Sequence, residues 1–363
     1  MNARCGADVP PHHPAPASAR KGVTRVSQQT PSAPLPLPLI LRALGVADRD
    51  LTSCTPLTGG TYNTVTRVTL TDGRDWVVKT PPAHSAGLRY ERDLLVNEVA
   101  FYTAAARAGG PAVPRVVHSE PDPTAPTGAY VVMTARPGRP WHEVDRSEDP
   151  HAEPPLRAEL GRLVGRLHTV TGPGGFGYPA APFGPPAATW RTAFTTMTEA
   201  VLADAETYRA PLPYPVDRIR TVLARAAPVL DDVTRPALVH FDLWEGNLLV
   251  AGEPGARSIG GVIDGERMFW GDPVADFVSL ALFGELEEDG DFLAGHAEGS
   301  GQTLEFSESV RLRLALYRSY LYLIMLVETV PRGLGPEAAE ETRQLVAPHL
   351  VAALDAVSRR TSA

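Results

Sequence analysis

The stretch HFDLWEGN constrains the fold most strongly, because it places polar side chains directly after ALV, a short apolar run that is typical of a buried strand. His240, Asp242 and Asn247 would lose solvation at the mouth of such a strand unless they have a role there. A second run of this kind, GGVID, ends in Asp264. Both runs lie among long amphipathic segments, which predicts a region in which helices surround a few strands that carry acids.

The same residues suit chemistry on a bound metal ion. Asn247 offers an amide oxygen and Asp264 a carboxylate, which are ligands that Mg²⁺ accepts, while Asp242 can face a substrate hydroxyl. The alternative is that the two aspartates form turns or cap helices, as many loop aspartates do. His240 can either transfer a proton or support the loop through hydrogen bonds, and support is the favoured interpretation. Two acids after apolar strands in one compact region favour a functional site over ordinary turns.

The preceding part of the chain has the pattern of a small mixed lobe. Residues 51–80 alternate β-branched and polar side chains around two glycine-containing turns, which predicts a three-stranded antiparallel meander. The segment YERDLLVNEVAFYTAAARAGG then repeats apolar residues at helical spacing, and PRVVHSE and AYVVMTA are typical of two more strands. The predicted order is therefore β-β-β-α-β-β.

After the hinge-like sequence ARPGRP the pattern is mostly helical. We therefore predict an α+β fold with a small antiparallel β-sheet lobe and one helix at residues 39–134, followed by a larger, mainly helical lobe at residues 135–363. Residues 1–38 are rich in Pro, Ser and Ala and cannot bury enough apolar surface to offset their ordering entropy. We expect them to form a disordered tail.

Glu98 interrupts the apolar face of the predicted helix, and a buried carboxylate needs a cation. The expected partner is Lys79, at the end of the valine-rich run WVVK in the preceding strand, with Glu91 as a rival to Glu98. The alternative is a surface lysine and an unrelated solvated glutamate.

The turn TGGTYN is a candidate phosphate-binding element. Gly59 and Gly60 offer neighbouring backbone N–H groups and Asn63 offers a side-chain amide, all of which suit phosphate oxygens. The alternative is a Gly-Gly hairpin turn that binds no ligand.

Taken in order, these parts resemble the aminoglycoside phosphotransferase family, small-molecule relatives of the protein kinases. The resemblance runs from about Leu51 to Leu282, and the catalytic stretch is also similar to that of the fructosamine kinases. It implies a bilobal protein-kinase-like fold, ATP or GTP as the phosphate donor, Mg²⁺, and a hydroxyl group of a small molecule as the acceptor. The implied roles are nucleotide binding for Gly59, Gly60, Asn63, Lys79 and Glu98, catalysis for Asp242 with His240, metal binding for Asn247 and Asp264, and loop support for Asp272 and Asp276.

Two positions depart from the family pattern. Phe241 stands where the family usually has glycine, and Gly265 stands where Phe or Trp commonly follows the metal-binding aspartate. Phe241 either narrows the substrate mouth or packs inward. Trp244 and Glu245 are expected to be scaffold within the loop, with the alternative that Trp244 lines the acceptor pocket. His168 is expected to be packed in the core or at the lobe surface.

Charge and composition restrict the partners. A net charge of −8 and a pI near 5.7 argue against nucleic acid, whose binding requires a basic face. No apolar run approaches the ~18 residues of a membrane span. The two cysteines form neither a disulfide framework nor a zinc motif, and the N-terminus does not resemble a signal peptide. We therefore expect a cytoplasmic protein without membrane contact, either monomeric or homodimeric.

The acidic segment 284–308 bears on the acceptor, because by analogy with the family it lies on the acceptor side. Carboxylates there would favour an amine-bearing antibiotic or sugar. A charge run of this kind is more often a solvated loop, which leaves a neutral nucleoside, macrolide or sugar as acceptor.

The expected function is phosphate transfer to an aminoglycoside-like antibiotic, in resistance or self-protection, with a metabolic kinase of the fructosamine or choline type as the alternative. A metal-dependent hydrolase would use His240, Asp242, Asp264 and Asp272, but it lacks a second histidine at suitable spacing and gives Lys79 no role. A nucleotide-binding module without activity is disfavoured because all the expected catalytic side chains are present.

Overall fold

The computed structural model describes residues 37–57, 63–82, 87–149 and 151–361. The predicted tail, apart from its last two residues, lies outside the described residues, and so do Gly59 and Gly60 of the predicted phosphate-binding turn.

The first part of the described chain is an antiparallel sheet in the strand order β1-β2-β3-β5-β4. Its strands are β1 Leu51–Leu57, β2 Thr64–Leu70, β3 Asp75–Thr80, β4 Val116–Glu120 and β5 Tyr130–Thr134. Helix α2, Leu94–Ala105, follows β3 in the chain and packs on β4 and β5. These elements confirm the predicted order β-β-β-α-β-β.

A short helix that was not predicted precedes the sheet. Helix α1, Leu37–Ala43, includes the last two residues of the predicted tail. It packs on the sheet through a small apolar cluster that contains Ile40, Val68 and Val132, all of them fully buried. The first part of the chain therefore has two helices rather than one.

From residue 135 onward helices predominate, as predicted. They are α3 Glu153–Thr169, α4 Trp190–Tyr208, α5 Val216–Ala226, α6 Phe277–Leu280, α7 Gly290–Ser300, α8 Glu308–Val327 and α9 Pro336–Thr361. The short strands among them are β6 Arg139–Pro140, β7 Ala237–Val239, β8 Leu248–Ala251, β9 Ser258–Val262 and β10 Phe269–Gly271. Strands β8 and β9 form an antiparallel hairpin with β6 beside β8, and β7 pairs with β10.

Helix α8 forms the centre of the helical core. Tyr317, Tyr320 and Leu323 on this helix are fully buried, and the helix packs on α9 and α4. It begins after Ser307, whose Oγ accepts a hydrogen bond from the Val310 N–H over 3.3 Å. Within the described ranges, no helix combines the length and the apolar character that a membrane crossing requires.

The acidic segment 284–308 is not the solvated loop that its charge favoured, because its centre forms helix α7. Asp289 caps this helix by accepting a hydrogen bond from the Phe292 N–H over 2.9 Å. The charge pattern was misleading because most of the acids flank helix α7, and the two within it, Asp291 and Glu298, are exposed on a helix whose other side is packed.

Glycines let helices α3 and α7 approach each other closely. A Cβ built on Gly161 would lie 2.1 Å from a carbonyl oxygen of α7, and one built on Gly295 would lie 2.0 Å from a carbonyl oxygen of α3. Gly165 and Gly299 make the same kind of approach one turn later. Because these distances are far below van der Waals contact, no larger residue fits unless the helices separate.

We expect Gly295→Ala to lower the free energy of unfolding by about 1–3 kcal/mol, because the added methyl group must push the two helices apart. Gly290→Ala is the matched control in the same helix, since a Cβ there meets nothing within 4 Å. Its stability should stay unchanged or rise slightly because alanine is the better helix former. Chemical denaturation followed by circular dichroism measures both variants, and equal stability would contradict the close packing.

Candidate active site

The end of strand β3 brings the Lys79 ammonium group between two carboxylates. Its Nζ atom donates to Glu98 Oε1 over 2.7 Å and to Asp264 Oδ1 over 2.5 Å. Lys79 and Glu98 are both buried. Burial acts to lower the pKa of Lys79, but the carboxylates of Asp264 and Glu98 outweigh it and raise that pKa well above its usual value. The predicted pair of Lys79 with Glu98 is confirmed, and the lysine stays charged.

Glu91, the rival partner, belongs to a separate cluster of ion pairs. Its Oε1 atom accepts a hydrogen bond from Arg332 over 2.6 Å, and Arg332 also contacts Glu328 at 3.0 Å. Glu328 in turn accepts a hydrogen bond from Arg267 over 3.1 Å, and Nε of Arg267 lies 3.9 Å from Asp242 Oδ2. Sequence patterns gave no signal for this cluster because Glu91 and Arg332 are 241 residues apart in the chain.

Asp264 leaves the β8–β9 hairpin in a left-handed backbone conformation with φ of 67°. This conformation is uncommon for a residue with a side chain and persists where the surroundings hold the backbone in place. The hydroxyl group of Tyr102, on helix α2, accepts a hydrogen bond from the Asp264 N–H over 2.9 Å. Helix α2 therefore positions both carboxylates that face Lys79.

Glu266, two residues after Asp264, was missed in the sequence analysis. Glu98, Asp264 and Glu266 each offer a carboxylate oxygen, and these oxygens lie within 4.8 Å of one another. The side-chain amide of Asn63 donates to Glu266 Oε2 over 2.6 Å, so a predicted nucleotide-binding residue contacts this group. Burial and the neighbouring Asp264 raise the pKa of Glu266 to about 8. The sequence contains an acid just after the glycine in VIDGE, but ordinary surface glutamates produce the same pattern.

Asn247 organises the loop between β7 and β8. Its Nδ2 atom donates to the backbone oxygen of Asp242 over 2.8 Å and to Asp242 Oδ2 over 3.1 Å. Burial raises the pKa of Asp242, and the Arg267 guanidinium opposes this rise. Because the amide nitrogen of Asn247 is used within the loop, its amide oxygen is left for a cation.

His240 uses both ring nitrogens within the protein. Its Nε2 atom donates to the Ile263 backbone oxygen over 3.0 Å, and its Nδ1 atom accepts from the Asp242 N–H over 3.2 Å. The proton therefore resides on Nε2 and the ring is neutral, in agreement with the burial that lowers the pKa of His240. This arrangement favours support of the loop over proton transfer.

Asp276 holds the same loop from behind. Its carboxylate accepts hydrogen bonds from the backbone N–H groups of His240, over 3.0 Å, and Phe241, over 2.6 Å. His168 Nε2 lies 2.9 Å from Asp276 Oδ2, and His168 Nδ1 lies 3.0 Å from His296 Nε2. Asp276 thus supports the loop, as the resemblance implied. His168 is not only packed, because it lies within hydrogen-bond distance of Asp276 and helps to hold this carboxylate in place.

Asp272 has a different partner from the one implied. Its carboxylate accepts a hydrogen bond from the Tyr317 hydroxyl over 2.6 Å and pairs with Arg313, and both of these residues lie on α8. The Tyr317 hydroxyl also accepts from the Trp190 indole N–H over 2.7 Å. Asp272 therefore joins the segment before α6 to helices α8 and α4 and makes no direct bond to the loop.

A comparison with models of protein families identifies the family of this chain. The model of the phosphotransferase enzyme family matches residues 53–314. The chain belongs to this family. The resemblance seen in the sequence is confirmed, and the protein is an enzyme of the small-molecule kinase class. A search among curated protein sequences found no match.

Several solved structures share the fold of this phosphotransferase. A protein of Thermobifida fusca YX-ER1 assigned as a fructosamine-3-kinase is 22% identical with a TM-score of 0.62, over 88% of this chain and 97% of that one. The aminoglycoside phosphotransferase APH(4)-Ia, in a ternary complex with AMP-PNP and hygromycin B, is 16% identical with a TM-score of 0.57, over 88% and 97%. The macrolide 2′-phosphotransferase MphH of Brachybacterium faecium is 20% identical with a TM-score of 0.53, over 88% and 97%. The predicted kinase-like fold is confirmed.

Packing explains both departures of this phosphotransferase from the family's usual sequence. Phe241 has φ of 63°, a conformation that glycine adopts freely, and its buried ring packs on Phe269 and Tyr320 with ring centroids 5.0 Å and 5.6 Å away. It packs inward and does not narrow the substrate mouth. A Cβ on Gly265 would lie 2.4 Å from the ring of Phe101, so this ring fills the space that a side chain at residue 265 would need.

Trp244 and Glu245, the remaining loop residues of interest, both have partners within the protein. Trp244 stacks on His142 with ring centroids 5.4 Å apart. Glu245 Oε1 accepts a hydrogen bond from Arg146 over 2.7 Å. Both partners follow the hinge-like sequence, so the loop is attached to the segment that leaves the sheet.

We expect the stability of this phosphotransferase to fall between about pH 6.5 and pH 4, because burial and the neighbouring His168 lower the pKa of His296 to about 4. As the pH falls, His296 takes up a proton in the unfolded chain before it does so in the folded chain. The stability that the neutral His296 ring contributes is therefore complete above the unfolded pKa and is lost as the pH falls toward the folded pKa. The expected loss of unfolding free energy is about 1–3 kcal/mol.

Denaturant titrations at constant ionic strength across this pH range measure the effect. His296→Asn keeps a polar side chain but does not titrate, so its stability should depend less on pH. Parallel pH curves for the two proteins would contradict the assignment to His296.

Proposed function

We propose that the chain transfers the γ-phosphate of ATP or GTP to a hydroxyl group of a small molecule, in a reaction that requires Mg²⁺. The observation that carries this proposal is the cluster in which Lys79 binds Glu98 and Asp264, beside the loop that carries Asp242 and Asn247. Phosphoryl transfer needs little covalent help from a protein and depends on positioning and charge neutralisation. Each of these side chains has one of those tasks.

The residues present fit Mg²⁺. Lys79 binds Oδ1 of Asp264, which leaves Oδ2 for an ion, and the amide oxygen of Asn247 is also left. Both are hard oxygen donors of the kind that Mg²⁺ prefers. A bound Mg²⁺ ion, held by Asp264 and Asn247, would supply positive charge that offsets the negative charge developing during transfer.

The protein side chains then hold the two substrates. Lys79, oriented by Glu98, binds the nucleotide phosphates, and the backbone around residues 132–135 receives the base between the lobes. The role proposed for Gly59, Gly60 and Asn63 is contact with the phosphates, and Asn63, the first described residue after these glycines, lies beside Glu266. This reading is supported by the structure of APH(4)-Ia, which contains AMP-PNP. A cytoplasmic site of action follows from the supply of ATP and GTP there.

Asp242 orients the acceptor hydroxyl and takes its proton. Its Oδ2 atom is held by the amide of Asn247, while Arg267 remains too far away at 3.9 Å for a strong bond. The carboxylate is thus fixed but not blocked. His240 keeps the loop in shape.

The first candidate acceptor is an antibiotic, because APH(4)-Ia binds hygromycin B and MphH is a macrolide phosphotransferase. A metabolic acceptor is the second, favoured by the likeness to the fructosamine-3-kinase. The acidic segment 284–308 does not decide between them. Among its acids, Glu285 pairs with Arg318, Glu287 with Arg311 and Asp289 with Arg157, each at 2.5 Å. These carboxylates therefore supply little free negative charge for an amine.

A coupled assay of nucleoside diphosphate release tests the proposed function. The panel contains aminoglycosides, macrolides, ketosamines, choline, amino sugars and nucleosides, each with ATP or GTP and Mg²⁺. We expect release that depends on one hydroxylated class of compound. Release that needs only water would indicate a hydrolase, and nucleotide binding without release across the panel would indicate an inactive module.

We expect Asp242→Asn to reduce turnover by about 10²–10⁴-fold, the usual share of a positioned base. The isosteric amide keeps the volume, so nucleotide affinity should be largely retained. Steady-state kinetics with the acceptor found in the panel, together with nucleotide titration, separate the two quantities. Near-normal turnover would remove Asp242 from catalysis.

We expect Lys79→Met to weaken nucleotide binding, which is measured as a smaller thermal shift with ATP and Mg²⁺. Methionine keeps the apolar stem but removes the ammonium group that the proposal places on the phosphates. Arg74→Met is a control on the same sheet, where the arginine pairs with the exposed Asp72. An unchanged shift in the Lys79 variant would exclude Lys79 from the site.

A further inference from the structure

Glu266 lies where the carboxylates of the site meet. It belongs to the short turn Gly265–Arg267 that directly follows Asp264. Its carboxylate, with those of Asp264 and Glu98, forms a group whose oxygens lie within 4.8 Å of one another. The site therefore holds a third acid that neither the sequence pattern nor the proposed roles use.

The charges of this group do not balance. Lys79 donates to Glu98 and Asp264, and its single ammonium group faces three carboxyl groups. The neighbouring Arg267 is directed elsewhere, since its guanidinium pairs with Glu328 at 3.1 Å. When all three acids are ionised, the group carries an excess of two negative charges, which a divalent cation would match. Carboxyl groups this close together cannot all ionise without a cost unless a cation lies between them.

Asn63 provides an independent sign of a missing ligand. Its side chain is more than nine-tenths buried, and its Nδ2 atom is committed to Glu266 Oε2 over 2.6 Å. Its Oδ1 atom is buried and has no hydrogen-bond partner among the described residues. A buried amide oxygen without a partner is costly, and it is a suitable neighbour for a cation or for a donor brought in with a ligand.

We propose that Glu266 is a further ligand of the divalent ion and that Asn63 is the positioning residue that orients it. This inference rests on the proposed function. Asn63 holds Oε2, which leaves Oε1 of Glu266 to face the ion. A ligating carboxylate is commonly held by such an outer hydrogen bond. Asn63 directly precedes strand β2, so its hydrogen bond to Glu266 links the proposed ion site to the sheet.

Metal binding tests this proposal without an acceptor. Mn²⁺ binding to the nucleotide-free enzyme is measured by electron paramagnetic resonance, and Mg²⁺ is titrated into enzyme saturated with AMP-PNP while the melting temperature is followed. Glu266→Gln keeps the volume and the acceptor for Asn63 but removes the charge. We expect it to weaken the affinity for both ions at least about 10-fold, and Asn63→Ala to weaken it by about 10–100-fold.

Two further variants set the scale. Asp264→Asn changes the proposed principal ligand and should lose the most affinity. Glu328→Gln removes a neighbouring acid that faces Arg267 rather than the ion, so it controls for the loss of nearby negative charge. Circular dichroism confirms that each variant is folded before its affinity is compared.

Unchanged Mn²⁺ affinity in Glu266→Gln would overturn the proposal, and so would equal losses in Glu266→Gln and Glu328→Gln. The Glu266→Gln variant could also bind AMP-PNP less well by the same factor with and without Mg²⁺. That result would show that Glu266 only holds Asn63 in place, and it would also overturn the proposal. If the parent enzyme binds Mn²⁺ through Glu266 but binds no nucleotide, the proposed function fails and the metal ligand stands.

Discussion

The site depends on the ammonium group of Lys79. Glu98 comes from helix α2 and Asp264 from the exit of the β8–β9 hairpin, so one cation joins a strand, a helix and a hairpin at a single point. Without it, the buried carboxylate of Glu98 would be left unpaired beside that of Asp264, a situation that costs several kcal/mol. The place of the segment that carries Asp264 relative to the sheet follows from this contact.

The loop between β7 and β8 is held mainly through its backbone. Asp276 binds the N–H groups of His240 and Phe241, and this support stabilises the left-handed conformation of Phe241 that would otherwise be strained. His240 takes part in the same support, because both of its ring nitrogens are hydrogen-bonded within the protein.

The parts of the fold that could be predicted were those in which apolar residues repeat at the spacing of a strand or a helix. Alternation identified the meander, and an acid on an apolar helix face identified the pair of Glu98 with Lys79. Other parts had no local signal. Glu266 looks like any surface glutamate, and the cluster of Glu91 and Arg332 joins distant parts of the chain.

The acids that precede helix α7 masked it in the sequence. Glu285, Glu287 and Asp289 pair with the arginines 318, 311 and 157 of α8 and α3, so only the tertiary structure explains why so many charges adjoin a packed helix. The same limit applies to Asp272, whose sequence context resembles that of Asp276 although its bonds go to α8.

The glycine contacts between α3 and α7 also act on the loop from a distance. His296 lies directly after Gly295, so the short distance between the helices is what brings its ring within reach of His168. A larger residue in place of Gly161 or Gly295 would move α7 outward and break that contact. The close approach of the two helices is therefore a condition for the support that His168 and Asp276 together give to the loop.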